Sequence, residues 1–233
     1  MEQLVRISSI GANQGEFKTY EDLLYIKEQL VKNNLVQTDD FCIFNNILFR
    51  YHEEEFIRQI DHLVLTRKGL YALETKYWKG HIFHQMRVSD FDDSLKWLVP
   101  EKNNDYDFTF CIQNISKKDG SNLFKTILPD DSPFNQIKNN STFLCKSLKE
   151  KNYPVRFIRP LVYYNYPKDK IHNVVVSKEK KLDTSSRISE GFTNRKALLK
   201  FFFEELKNND TFSKDDFSKL NTFFKKEEKR MNL

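Results

Sequence analysis

Two acidic residues and a lysine lie at a spacing that could serve metal and phosphate chemistry. Asp61 lies in the run IDHLVL, and Glu74 and Lys76 lie in the run LYALETK. Both runs are rich in residues that favour strands, and residues 66–69 between them have the composition of a tight turn. Because side chains alternate along a strand, Glu74 and Lys76 point to one side and Thr75 to the other. A hairpin folded at this turn places Asp61 near the level of Glu74.

Such a group of charges is costly to bury unless a cation joins it. Two carboxylates held close together repel each other and lose hydration. A divalent ion removes that cost, and ligands that are all oxygen suit Mg²⁺ or Mn²⁺ better than Zn²⁺. Lys76 beside the ion could hold a phosphate oxygen or an attacking water. Phosphodiester hydrolysis requires this combination of a metal-activated nucleophile and positive charge facing the phosphate.

The same residues are also compatible with an ordinary hairpin. Cross-strand pairs of Asp and Lys are common on solvated sheet faces. The runs ILFRY, IDHLVL and LYALETKYW carry apolar residues on both faces, however, which is typical of central strands covered on both sides. Charges in covered strands favour the catalytic interpretation. The histidines nearby, His62 and His84, are each expected to have a structural role.

The segment that contains these residues resembles the nuclease-related domain (NERD) family, which belongs to the PD-(D/E)XK nuclease superfamily. The resemblance rests on residues 60–64, Gly69–Lys76 and Gly80. Two flanking stretches resemble further motifs of the family. Gly15-Glu16 before a helix resembles its Gly-Glu motif, and Ser132-Pro133-Phe134-Asn135-Gln136 resembles its Asn-Pro-x-x-Gln motif. The similarity covers about Gly15 to Tyr163 with an interruption. The chain departs from the family at Gln59, where Glu is usual, and at Ser132, where Asn is usual.

The resemblance implies a metal-dependent nuclease and names its candidate residues. Asp61 and Glu74 would bind Mg²⁺ or Mn²⁺ together with the backbone carbonyl of Thr75, and Glu16 is a candidate further ligand. Lys76 would stabilise the transition state or position the water. Gln136 would orient the metal-bound water or a phosphate. Two interpretations stay open for Glu16, because a carboxylate also suits the first turn of a helix, and for Gln136, which a helix could simply expose.

Composition sets the wider class of protein. The chain has 233 residues, of which 39% are hydrophobic and 30% charged, and this favours one packed domain. A net charge of +5 is compatible with a nucleic-acid partner without requiring one. The three cysteines are too widely spaced to indicate a zinc site or a disulfide framework. No signal peptide or membrane-length apolar run is present, so we expect a soluble cytoplasmic protein without a membrane partner.

The expected fold is α/β, with a restriction-endonuclease-like mixed central sheet in the order αβββαβ flanked by helices. We predict a core over residues 1–177, with an insertion at about 100–131 that forms a hairpin near the site. Residues 178–233 are predicted to form a C-terminal helical extension, with a pair of helices packed on the core.

The predicted function is metal-dependent hydrolysis of phosphodiester bonds in nucleic acid, with DNA preferred. The alternative is an inactive nuclease-like module that binds nucleic acid or protein. A third interpretation is a phage-defence or plasmid-borne effector whose protein partner supplies targeting. A homodimer would suit double-strand cutting, because each strand needs its own site.

Overall fold

The computed structural model describes most of the chain. The described residues are 6–7, 13–52, 56–93, 96, 107–116, 122–127, 132–166, 174–177, 179–185, 188–207 and 210–229. The expected insertion at 100–131 therefore falls only partly within them. The ten strands of the described part are β1 (Arg6–Ile7), β2 (Phe41–Phe49), β3 (Arg58–Thr66), β4 (Gly69–Lys76), β5 (His81–Met86), β6 (Phe108–Ser116), β7 (Asn122–Ile127), β8 (Ile158–Tyr164), β9 (Val174–Val176) and β10 (Gly191–Phe192). Its four α-helices are α1 (Gln14–Lys32), α2 (Pro133–Glu150), α3 (Arg195–Glu205) and α4 (Lys214–Lys229).

The strands form two mixed sheets. The larger sheet has the order β1-β2-β3-β4-β8-β10, in which β3 is antiparallel to both β2 and β4, and β8 is parallel to β4. The smaller sheet has the order β7-β6-β5-β9. It contains the hairpin β6–β7 and a parallel pair formed by β5 and β9. The α/β class predicted from the sequence is confirmed, but the strands divide between two sheets where one central sheet was expected.

Helices cover both faces of the larger sheet. Along β4, Leu70 and Ala72 contact one core cluster, which also contains residues of α2 and α4. The alternate residues Tyr71 and Leu73 contact a second cluster, which contains residues of α1 and α3. This alternation explains why β4 is apolar at nearly every position. It also places the two C-terminal helices on opposite faces of the sheet.

Local sequence signals fix where the helices near the site begin. Asn13 caps α1, and its Oδ1 accepts a hydrogen bond from the Gly15 N–H at 3.0 Å. Asn is among the preferred residues at this position because its side chain satisfies a free backbone N–H. Pro133 is the first residue of α2, where its missing N–H has no cost and its fixed φ suits a helix. None of the helices in the described residues is both long and apolar enough to cross a membrane.

The regular alternation of β2 and β3 breaks beside Asp61. Ile60 and Leu63 contact the same core cluster although they are three positions apart. In the neighbouring strand β2, Asn46 has a left-handed φ of 51°, a conformation that Asn tolerates better than most residues. The ladder between β2 and β3 omits the pair Asn46 and Asp61, so Asp61 lies at an irregularity of the two strands.

Gly80 allows the smaller sheet to pack closely where β5 begins. Its φ is 133°, and a Cβ at this position would overlap the backbone oxygen of Ile112 in β6. We expect Gly80→Ala to lower the free energy of unfolding by about 1–3 kcal/mol because the backbone would be strained. Gly69→Ala is the matched control, since a Cβ there would meet Tyr71 at an ordinary 3.5 Å. It should change stability by no more than about 1 kcal/mol. Urea unfolding measures both, and equal losses would contradict the prediction.

Candidate active site

The two central strands separate at the level of the acidic residues. The ladder between β3 and β4 ends at the pair His62 and Leu73, one position short of Asp61 and Glu74. Beyond this point β4 continues beside β8, where Lys76 pairs with Tyr164, and β3 continues beside β2. Side chains can enter the opening between the strands because no backbone pairing closes it. The sequence predicted that Asp61 and Glu74 would lie at one level, and the register agrees with this.

The Asp61 side chain bridges this opening. Its Oδ2 accepts a hydrogen bond from the Thr75 N–H at 2.8 Å, and its Oδ1 accepts one from the Gln59 Nε2 at 3.2 Å. Asp61 is only 8% exposed. Burial, followed by the charge of Glu74, raises the pKa of Asp61 to about 8, while the Thr75 N–H opposes this shift. The carboxyl group is thus oriented by two donors but lacks a full countercharge.

Glu74 and Lys76 form an ion pair on the same face of β4. The distance between the Lys76 Nζ and the Glu74 Oε1 is 2.6 Å. Burial still raises the pKa of Glu74, with Lys76 opposing the shift and Glu16 adding to it. The Lys76 side chain is less buried than that of Glu74, at 19% against 5% exposure. Its ammonium can therefore reach a ligand that approaches from solvent.

Glu16 joins this group from a different element. It lies in the first turn of α1, it is buried, and its Oε1 accepts a hydrogen bond from the Asn13 Nδ2 at 2.9 Å. Its charge contributes to the raised pKa of both Asp61 and Glu74. Both interpretations of Glu16 from the sequence are thus compatible with its position. Its carboxylate suits the first turn of the helix, and its charge raises the pKa of the other two acids.

The start of α1 packs directly on the end of β4. A Cβ on Gly15 would lie 2.6 Å from the Cβ of Tyr77, so this contact requires glycine. Asn165, which follows β8, donates from its Nδ2 to the Gly15 carbonyl at 2.7 Å and to the Thr19 Oγ1 at 2.7 Å. The Thr75 Oγ1 donates to the same Thr19 hydroxyl at 3.0 Å. Asn165 thereby fixes the helix turn that carries Glu16, a role that sequence reasoning missed.

Gln136 lies in the first turn of α2 and is partly exposed. Its side chain makes no hydrogen bond to another residue that the structure describes, so the structure does not bring it into the acidic group. One turn later, the Asn140 Nδ2 donates to the Gln59 carbonyl at 2.7 Å. Residues four apart share one face of a helix, so Gln136 lies on the side of α2 that borders the start of β3.

Neither histidine is placed as a catalytic base. The Nδ1 of the fully buried His62 lies 2.7 Å from the Asn45 Oδ1, and burial lowers the pKa of His62 to about 3. The His84 Nδ1 lies 2.8 Å from the Tyr164 hydroxyl, and burial lowers its pKa as well. The His84 Nε2 also lies 3.1 Å from the Glu190 Oε2. Both side chains are therefore buried and hydrogen-bonded in the core, in agreement with the structural role predicted for them.

The donor atoms of the site fit a hard divalent cation. Glu16, Asp61, Glu74 and the Thr75 carbonyl offer only oxygen, the element that Mg²⁺ and Mn²⁺ prefer. Over the residues that the structure describes, no three acidic, histidine or cysteine side chains are already arranged around one ion position. Glu74 instead contacts Lys76, and Glu16 contacts Asn13. An ion at this site would compete with these two contacts.

The raised pKa of Asp61 makes the stability of the metal-free protein depend on pH. Because its folded pKa of about 8 lies above the unfolded value, the folded state binds the proton more tightly, and stability is lost as the pH rises through 8. In EDTA we expect the free energy of unfolding to fall between pH 6.5 and 8.5 by at least about 1.4 kcal/mol, the equivalent of one pKa unit. Asp61→Asn should flatten this slope in urea unfolding. A slope that is equal in both proteins would contradict the assignment.

Comparison with known protein families identifies the family of this chain. The model of the nuclease-related domain family matches residues 23–177, which is more than half of the 233-residue chain. The match includes Asp61, Glu74, Lys76 and Gln136 but not Glu16. Comparison with curated proteins and with solved structures gives no match. The chain belongs to the nuclease-related domain family, which is part of the PD-(D/E)XK-like group of nucleases.

Proposed function

We propose that this chain is a metal-dependent nuclease that hydrolyses phosphodiester bonds in nucleic acid, with DNA as its substrate. The observation that supports this most directly is the buried group of Asp61, Glu74 and Glu16 beside Lys76. Burial and mutual repulsion raise the pKa of the first two, so the group is poorly balanced as it stands. A divalent cation would balance it, and family membership makes a nucleic acid the expected substrate.

The order of elements supports a core of the restriction-endonuclease type. The sequence α1, β2, β3, β4, α2, β8 follows the expected αβββαβ order, and β5, β6 and β7 lie between β4 and α2. In this proposal the core spans residues 1–177, and the insertion at about 100–131 supplies the hairpin β6–β7. Residues 178–233 then form the C-terminal extension that carries α3 and α4.

The proposed metal ligands are Asp61, Glu74, the Thr75 carbonyl and Glu16. A bound Mg²⁺ or Mn²⁺ would supply a water of lowered pKa and reduce the negative charge on the phosphate. The Thr75 N–H keeps Asp61 oriented, because its hydrogen bond leaves the carboxylate facing the opening between the strands. No histidine base is needed in this scheme, which is consistent with the burial of the two histidines nearby.

Lys76 is proposed to act on the phosphate. In the described structure its ammonium is paired with Glu74, and rotation of Glu74 toward an ion would free it to donate to a non-bridging phosphate oxygen. A positioned donor of this kind typically contributes about 10²–10³ to the rate. Gln136 of α2 is proposed to contact the phosphate or the attacking water.

Cleavage of supercoiled plasmid and of labelled single-stranded DNA tests the proposal. We expect cutting with Mg²⁺ or Mn²⁺ and none in EDTA. Lys76→Met should lower the rate about 10²–10³-fold, and Asp61→Asn should lower it by at least as much. Asp22→Asn is a matched control, because Asp22 is also 8% exposed but bonds to Tyr163 and Arg195 and to none of the proposed site residues. Cutting in EDTA, or cutting that survives both site substitutions, would refute the proposal.

A second candidate function is an inactive module that binds nucleic acid or protein. It is favoured by the absence, in the described part of the chain, of a ready-made three-ligand group. Metal-linked stability separates the two. If the site binds metal, a metal concentration of 100 Kd should raise the free energy of unfolding by about 2.7 kcal/mol. For a chain of this size this corresponds to a rise in Tm of about 5–10 °C. Asp61→Asn should abolish that rise. No rise and no cleavage in the wild-type protein would favour the module.

The remaining features of the proposal rest on the sequence alone. A cytoplasmic location, a homodimer for double-strand cutting, and a protein partner that supplies targeting in a phage-defence or plasmid-borne setting all stay predictions. Robust cleavage by the chain without a partner would contradict the last of these.

A further inference from the structure

A row of alternating aromatic rings and cations borders the start of β3. We call it the aromatic–cation row, and it consists of Phe56, Arg58, Phe143, Lys146 and Tyr51. The Arg58 guanidinium carbon lies 4.7 Å from the ring centroid of Phe56 and 3.9 Å from that of Phe143. The Lys146 Nζ lies 5.3 Å from the Phe143 centroid and 5.9 Å from that of Tyr51. These distances are within the range of cation–π attraction.

The row is tied to the candidate active site by hydrogen bonds. The Arg58 guanidinium donates to the Asn140 Oδ1 at 3.2 Å, and the Asn140 Nδ2 donates to the Gln59 carbonyl at 2.7 Å. The Gln59 amide in turn donates to Asp61. Arg58 and Asp61 are three residues apart in β3, which corresponds to about 10 Å along a strand. A ligand on the row would therefore lie within about 10 Å of Asp61 along β3.

The outer end of the row is open to solvent. Phe56 is 57% exposed and its neighbour Ile57 is 55% exposed, although one face of the Phe56 ring is covered by Arg58. A single exposed apolar residue is common on proteins. An exposed ring that stacks on an arginine, next to a second ring and a lysine, is the combination that proteins use for unpaired bases and backbone phosphates. The nearby Glu150 is already bonded to the Tyr51 hydroxyl at 3.1 Å.

We propose that the aromatic–cation row binds a single strand of nucleic acid and leads it to Asp61. The proposal rests on the proposed nuclease function for the identity of the ligand, and it adds that unpaired bases stack on the exposed face of Phe56. Single strands are specified because bases in a duplex are stacked on each other and do not offer their faces to a side chain. Residues 53–55 are three glutamates, so stacking rather than net charge should provide most of the affinity.

A second Phe-x-Arg pair provides a matched control. Phe157 is 60% exposed, and the Arg159 guanidinium lies 5.8 Å from its ring centroid. This pair lies at the start of β8, beside the start of β4, because Ile158 pairs with Leu70. It is therefore at the end of the sheet opposite to Glu74 and Lys76. If any exposed phenylalanine ring bound nucleic acid, removing either ring would weaken binding equally. If the aromatic–cation row is the binding surface, only removal of the Phe56 ring weakens binding.

Fluorescence anisotropy with labelled oligothymidylate in EDTA tests the row without hydrolysis. We expect Phe56→Ala to weaken binding about fivefold to a hundredfold, the range for loss of one stacked base. Phe56→Trp and Phe157→Ala should both bind within about twofold of the wild-type protein. A labelled duplex should bind more weakly than the single strand. A parallel titration with oligouridylate shows whether the strand is DNA or RNA, since tighter binding of either sugar is compatible with stacking.

Several results would refute the proposal that the aromatic–cation row binds a single strand. These are no binding by the wild-type protein, equal binding by Phe56→Ala and the wild type, equal losses in Phe56→Ala and Phe157→Ala, or duplex binding as tight as that of the single strand. Failure of the nuclease proposal is recognised separately. Binding with the expected pattern but no metal-dependent cutting leaves the row in place and refutes the enzyme. Metal-dependent cutting with normal binding by Phe56→Ala refutes the row alone.

Discussion

The hydrogen bond from the Thr75 N–H to the Asp61 carboxylate links two strands that have stopped pairing. Up to His62 and Leu73 the backbone ladder holds β3 against β4. One position further, a side chain takes over that role, and the Thr75 N–H donates at 2.8 Å to Asp61 in place of a backbone carbonyl. A buried N–H needs such a partner. The same bond orients a carboxylate toward the opening, so the separation of the strands and the formation of the site have one cause.

The residues around this hydrogen bond hold three carboxylates that repel one another. Asp61, Glu74 and Glu16 come from three elements, and each receives at least one N–H donor from the protein. These donors stabilise the carboxylates but do not neutralise the group, as the raised pKa values of Asp61 and Glu74 indicate. In the proposed function a divalent cation would supply the missing positive charge.

Much of the central hairpin could be predicted from the sequence, because its information is local. The period-two pattern and the turn at 66–69 correctly indicated the levels of Asp61 and Glu74 and the common face of Glu74 and Lys76. What the sequence did not indicate depends on distant contacts. Asn165 and Gly15 are 150 residues apart, and Asn140 and Gln59 are 81 apart. The irregularity beside Asn46 also escaped prediction, since a single asparagine in a strand carries no distinct signal.

The contact between Asn165 and Gly15 has a consequence for the chain during its synthesis. All three acids have been made once residue 74 is complete, but the helix turn that carries Glu16 is held by an asparagine made some ninety positions later. The core beneath the site also includes Phe224 of α4. Chains emerge from the ribosome N-terminal end first, and contacts between distant segments form last. A nascent chain therefore cannot complete the contacts that hold the Glu16 turn until residue 165 has left the ribosome.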